Sequence, residues 1–216
     1  VSIENGTQQP KHPMVWIDCE MTGLDPKFDE LVEVAVVITD SELNVVDPGM
    51  DVVIKPSQAA LAHMDDFVTN MHTESGLIDE LEAGLSLGEA EQQVLDYIKR
   101  FVPEPRVASL AGNSVGQDKL FLLEYMPEVA QHLHYRVIDV STIKELAKRW
   151  YPRVYACAPE KHGGHRALAD ILESIQELVY YRKALFPAEL NPQSGFYKTV
   201  AQEVEELGIA VSTDDI

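Results

Sequence analysis

The sequence predicts an α/β fold, a mixed five-stranded sheet flanked by helices, and three observations predict it. Three Val- and Ile-rich strand segments come first, joined by short turn-forming links. Helical patterns and two further short apolar strands then alternate, giving the order βββ-α-β-α-β-α. Hydrophobic residues make up 45% of the 216 residues and charged residues 25%, the balance of a soluble globular protein rather than a disordered one.

Met14 to Asp18 reads as a short buried strand, Glu30 to Thr39 as a second and Val45 to Ile54 as a third. Gly23-Leu24-Asp25-Pro26 and Asp47-Pro48-Gly49 carry turn chemistry, so the three strands are expected to form an antiparallel meander. Ser86 to Phe101 is a helix opened by Ser86 and Glu89 at capping-box spacing, with Val94, Leu95, Ile98 and Phe101 on one face. Val107 to Ala111 is a strand, and Val115 to Tyr125 a helix stopped before Pro127. Arg136 to Val140 is the fifth strand, and Ser141 to Trp150 a helix with Ser141 as its cap. Ala167 to Leu185 is the longest helix. Residues 1–187 are expected to form a single domain. Residues 188–216 are expected to be an acidic C-terminal extension, partly helical with a frayed end; after Lys198 it has no basic residue.

No apolar run approaches the ~20 residues of a membrane span. Val1 to Pro10 shows no basic segment followed by an apolar one, so no secretory signal is expected. Of the two cysteines, Cys19 lies in an apolar strand and Cys157 far from it in sequence. This fits reduced thiols and a cytoplasmic protein. The net charge of −19 argues against binding long nucleic acid, which rewards a basic surface. Between Tyr135 and Arg166, however, seven basic residues face three acidic ones, a net +4. A small basic patch in an acidic body suits a short anionic ligand; a solvated helix face with ordinary lysines explains it equally well.

Three elements carry chemistry. Asp18 and Glu20 stand at i and i+2 of a strand and share one face. Two carboxylates so close repel, and a divalent cation, which prefers oxygen ligands, relieves that repulsion. Alone, the pair reads more readily as a strand ending in solvated acids. Asp118 falls where a strand runs into a helix, and a first-turn acid is also favoured by the helix dipole. His165 and Asp170 are five residues apart, about 140° on one helix given 3.6 residues per turn. They converge only if His165 precedes the helix and Asp170 sits within it, with Gly163 and Gly164 supplying the loop. His162 is read as an ordinary loop histidine.

Taken together, Asp-x-Glu on the first strand, an Asp after the fourth and His-x4-Asp at a late helix form an ordered set. That set resembles the DEDDh 3′→5′ exonucleases, which have the ribonuclease H-like fold, and within them the oligoribonucleases. Residues 16–26 (WIDCEMTGLDP), 112–118 (GNSVGQD) and 134–147, with its His-Tyr-Arg, Asp-Val-Ser-Thr and Lys-Glu-Leu-Ala strings, are similar to the family's motifs. The likeness runs from about Met14 to Arg182. It implies that Asp18, Glu20, Asp118 and Asp170 bind two divalent metal ions, Mg²⁺ or Mn²⁺, with His165 as the general base. It implies that Leu24 wedges between the two bases of the substrate and that Phe67 stacks on one. Ser114 and Gln117 would lie near the 3′ end and its sugar. Tyr135 and Arg136 would reach across a homodimer to the partner's substrate at its 5′ phosphate. Phe67 stands where Trp is common, and Ala169 where some members have a further acid.

The expected reaction is two-metal hydrolysis of single-stranded RNA of two to five nucleotides, dinucleotides especially, to 5′-mononucleotides. Histidine suits the base because its unperturbed pKa of ~6.5 lies near working pH. The alternatives are a DNA-directed proofreading or trimming exonuclease of the same fold, since fold does not fix substrate, and a non-catalytic nucleotide-binding module.

Overall fold

The computed structural model describes residues 10–160, 166–186 and 194–206. Strands β1 (Met14–Met21), β2 (Leu31–Thr39), β3 (Met50–Val53), β4 (Ser109–Gly112) and β5 (His134–Asp139) form one sheet in the order β3-β2-β1-β4-β5. The first three pair antiparallel, whereas β4 and β5 join parallel to β1. The mixed five-stranded sheet and its opening meander are therefore as expected.

Helices cover both faces. Helices α1 (Gln58–His63), α2 (Asp66–Glu74) and α3 (Leu77–Glu80) lead into α4 (Leu87–Phe101). Then come α5 (Gly116–Tyr125), α6 (Pro127–His132), α7 (Val140–Trp150), α8 (Pro152–Ala156), α9 (Ala167–Leu185) and α10 (Ser194–Glu206). Strand alternation sorts the core into two layers. Val15, Ile17 and Cys19 of β1 pack with Val34, Val36 and Ile38 of β2 against α4 and α5. Met14 and Trp16 pack with Ala35 and Val37 against α7 and α9. Every residue of β2 is buried, as expected of a strand covered on both faces. Among the described residues, no helix is long and apolar enough to cross a membrane.

The Ser86–Glu89 capping box forms as its spacing predicts. Three expectations need correction. The third strand starts at Met50, not Val45. Val45 makes only a bridge to Thr39, and the chain then turns through Gly49 at φ 95. A side chain at Gly49 would meet Val37 Cγ2 at 2.8 Å, so the turn requires glycine. The cap of α7 is Asp139 rather than Ser141: its Oδ1 accepts from Ser141 N at 2.9 Å while its backbone is still extended. The short helices α1 to α3, α6 and α8 were not foreseen, because 4–9 residues are too few to show a helical period. The frayed end expected of the C-terminal extension lies outside the described residues.

Candidate active site

Trp16, Asp18 and Glu20 share one face of β1, the face that Trp16 buries toward α9. β1 pairs with β4 only at Met14, Val15 and Trp16, so the parallel strands part just before Asp18. Beyond that point the Cys19 N–H turns to Asp118, in the first turn of α5, and donates to its Oδ1 at 3.0 Å. Asp170 arrives in the first turn of α9. One oxygen each from Asp18, Glu20 and Asp170 lies within 4.8 Å of the others. Asp18, Glu20 and Asp170 thus converge at the carboxyl ends of β1 and β4, where open α/β sheets take their ligands, and Asp118 stands beside them on the Cys19 N–H, outside that tight group.

The start of α9 is fixed by a residue that sequence reasoning passed over. Arg166 precedes the helix in extended conformation and offers no side-chain cap. Glu33 of β2 caps it instead, accepting the Ala167 N–H at 3.1 Å on Oε2 and the Arg166 guanidinium at 2.9–3.0 Å on Oε1. The same guanidinium bonds Glu80 at 2.8 Å, tying α3 to the clamp. Glu33 stands opposite Glu20 in the β1–β2 register. Its signal in the sequence was a carboxylate inside the otherwise apolar run from Leu31 to Ile38.

Crowding sets the electrostatics. Burial, then the charges of Asp118, Glu20 and Asp170, push Asp18 up to about 9. Burial, then Glu33 and Asp170, push Glu20 up to about 8. Burial raises Asp118 to about 6, against the lowering effect of the Cys19 N–H. Convergent carboxylates that cannot all ionise together are a donor set of hard oxygens with surplus negative charge, which fits divalent cations of the Mg²⁺ or Mn²⁺ type.

A consequence for stability follows from the sign of these shifts. Between about pH 4, where the unfolded carboxyls ionise, and about 8–9, the folded metal-free protein holds protons that the unfolded chain has released. Its stability therefore falls as pH rises through that window. A cation that replaces those protons binds more tightly at the upper end. The metal-free protein should melt at a lower temperature at pH 8 than at pH 6, and Mn²⁺ should raise the melting temperature more at pH 8. Equal metal-induced shifts at both pH values would contradict this reading.

His165 and His162 lie outside the described residues. The helix does begin at Ala167, so His165 precedes it and Asp170 falls inside it. Leu24 and Phe67 line a cleft of about 660 Å³ that opens beside Glu20. Both side chains stand in solvent, 75% and 74% exposed. Gln117 donates to the Leu24 carbonyl at 2.6 Å, joining α5 to this rim. Ser114 adopts a left-handed backbone (φ 53), and its N–H is held by Asp139 Oδ1 and Ser141 Oγ, both at 3.0 Å. Tyr135 and Arg136 do not line that cleft. They sit on β5, the edge strand, with Tyr135 70% exposed and the Arg136 guanidinium 5.3 Å over its ring.

The RNase T family, described as Exonuclease, matches residues 15–178. An oligoribonuclease from Leifsonia xyli subsp. xyli is 65% identical over 179 residues, covering 83% of this chain and 86% of that relative. The chain belongs to the oligoribonuclease family. A second oligoribonuclease, from Streptomyces avermitilis, is 57% identical over 188 residues, or 87% and 94% of the two chains. Membership places the chain among the DEDDh exonucleases and makes it an enzyme, a 3′→5′ exoribonuclease. Solved structures of exonuclease I share the ribonuclease H-like fold. One from Methylocaldum szegediense aligns with a TM-score of 0.55 at 19% identity, covering 90% of this chain and 45% of its own. Another aligns at 0.60 and 15% identity, covering 91% and 44%. This chain spans under half the length of those structures, and the likeness is one of fold.

Proposed function

We propose that this oligoribonuclease family member hydrolyses RNAs of two to five nucleotides, dinucleotides above all, from the 3′ end to 5′-mononucleotides. The observation that carries the reading is the cluster of Asp18, Glu20 and Asp170 at the parted ends of β1 and β4, with Asp118 beside it on the Cys19 N–H and Glu20 facing a cleft rimmed by Leu24 and Phe67. Asp18, Glu20, Asp118 and Asp170 hold two divalent cations, Mg²⁺ or Mn²⁺. Bound there, the cations supply positive charge to the phosphoryl oxygens and acidify water.

The remaining roles belong to the chain. His165 accepts the proton of the attacking water as its oxygen bonds to phosphorus and the P–O3′ bond breaks. Leu24 inserts between the two bases and Phe67 stacks on one, since an aromatic face held in solvent binds any base. Ser114 and Gln117 hold the 3′ nucleotide and its sugar. The rigid Ser114 backbone and the Gln117 bond to the Leu24 turn support fixed positions for both. Tyr135 and Arg136 of the partner subunit hold the 5′ phosphate in a homodimer. The edge strand is consistent with that arrangement: Tyr135 and Val137 on β5 are exposed, at a strand with one side unpaired. The +4 window inside a −19 chain supports a short rather than a long RNA.

The deciding experiment is a product-resolved digest of 5′-labelled RNAs of graded length, with and without Mg²⁺ and beside a DNA dinucleotide. The expected result is metal-dependent turnover that peaks at two nucleotides and is lower on DNA. Turnover rising toward twenty nucleotides would overturn the substrate assignment, and a monomer in sedimentation equilibrium would overturn the shared site.

A further inference from the structure

The turn from Thr22 to Asp29 holds Leu24 over the cleft with three-quarters of its surface in water. Apolar packing therefore cannot be what fixes it, and a carboxylate does so from inside the turn. Asp29 is buried, and its Oδ2 accepts the Asp25 N–H at 2.9 Å. Its Oδ1 accepts the Thr22 hydroxyl at 3.3 Å and stands 3.3 Å from His63 Nδ1 on α1. Gly23 rides so close that a Cβ there would meet the Asp29 carboxylate at 2.4 Å. From α5, the Tyr125 hydroxyl reaches the Asp29 carbonyl at 2.7 Å, and Gln117 holds the Leu24 carbonyl. The backbone on each side of Leu24 is pinned while its side chain stays free for a ligand.

We infer that Asp29 is a positioning residue that acts through Leu24. By gathering the Thr22–Asp25 backbone around one carboxylate, it sets the height and direction at which the leucine meets the bases of a bound dinucleotide. This rests on the cleft being the substrate groove proposed above. It adds that ordering the turn is a condition of affinity, separate from the metal site. A preordered contact avoids the entropic cost of fixing a loop on binding, so loss of Asp29 removes the affinity that Leu24 contributes and leaves the metal site intact.

The test is a double-mutant cycle read as the Kd of a dinucleotide whose bridging 3′ oxygen is replaced by methylene, so that it resists hydrolysis, measured by titration calorimetry. Leu24→Ala and Asp29→Ala should each weaken binding by about tenfold, the scale of one partly buried leucine side chain. The double variant should be within about twofold of Leu24→Ala, because contacts acting through one another are not additive. Asp29→Asn, which keeps an acceptor for Asp25 N–H, should return to within about threefold of wild type. The metal-induced rise in melting temperature should be the same in all of them. Losses that multiply in the double variant, or full affinity in a folded Asp29→Ala, overturn the inference. If Asp29→Ala does not fold, Gly23→Ala, which intrudes on the same carboxylate, takes its place in the cycle. Failure of the wild type to bind any dinucleotide would instead remove the proposed function, an outcome distinct from intact binding with independent losses.

Discussion

Asp18→Asn is expected to lower hydrolysis of a labelled dinucleotide by at least ~10²-fold and, at pH 8, to raise the melting temperature of the metal-free protein. Both effects have one source. The Asp18 carboxyl is pushed up to about 9 by burial and by four neighbouring acids, so the folded protein carries its proton or its charge at a cost. Asparagine keeps the shape and one oxygen and carries neither. The gain should be on the order of 1–2 kcal/mol, each kcal/mol being worth ~2–4 °C for a chain of this size. The opposite signs separate a metal-holding acid from a residue of merely structural importance, whose loss would lower both quantities. A circular-dichroism melt in chelator and a turnover assay check them together. Near-normal turnover, or a fall in the melting temperature, would remove Asp18 from the proposed role.

His165→Ala is expected to lose at least ~10²-fold in kcat, the low end for removal of a general base, by a different route. In the proposed role the imidazole accepts a proton in the transition state and holds no cation, so the Mn²⁺-induced rise in melting temperature should match that of the wild type, whereas Asp18→Asn should lose most of it. Dinucleotide affinity should likewise be unchanged, since an interaction made only in the transition state leaves ground-state binding alone. Turnover and metal-dependent melting, measured side by side, distinguish the two variants. A His165→Ala protein that cleaves at near-normal rate would require another base.

Much of the site was legible in the sequence because its residues stand on regular elements. The i, i+2 relation of Asp18 and Glu20 fixes their common face once β1 is a strand, although β1 runs on to Met21, past the Asp18 at which the apolar run was expected to end it. The expected helix from Ala167 puts Asp170 in its first turn, and α9 opens at Ala167. Glu33 was not legible. Nothing local tells a buried carboxylate on β2 that its partners are Arg166 and Ala167, 133 and 134 residues away. Asp139 was missed as the cap of α7 for a related reason. Asp139 and Ser141 both carry capping side chains, and the choice depends on where β5 stops pairing with β4, which it does at Asp139. The five short helices left no periodic trace. The 58–83 stretch is shaped by what it packs against, as where Leu77 and Leu81 cluster with Val32.

The bond from the Cys19 N–H to Asp118 joins residues 99 apart in the chain, and Asp170 lies further still along it. No local fragment holds more than two of the four acids, so a cation finds its full set of oxygens only after the sheet has closed and α5 and α9 have docked. Contacts of such sequence separation form late and at high entropic cost. The metal is then a ligand of the finished fold alone. It cannot rescue a half-folded chain, and the stabilisation it gives, which grows with the free cation concentration, goes to the native state alone. Under conditions poor in divalent cations, this chain should lose its reserve against unfolding together with its catalytic power.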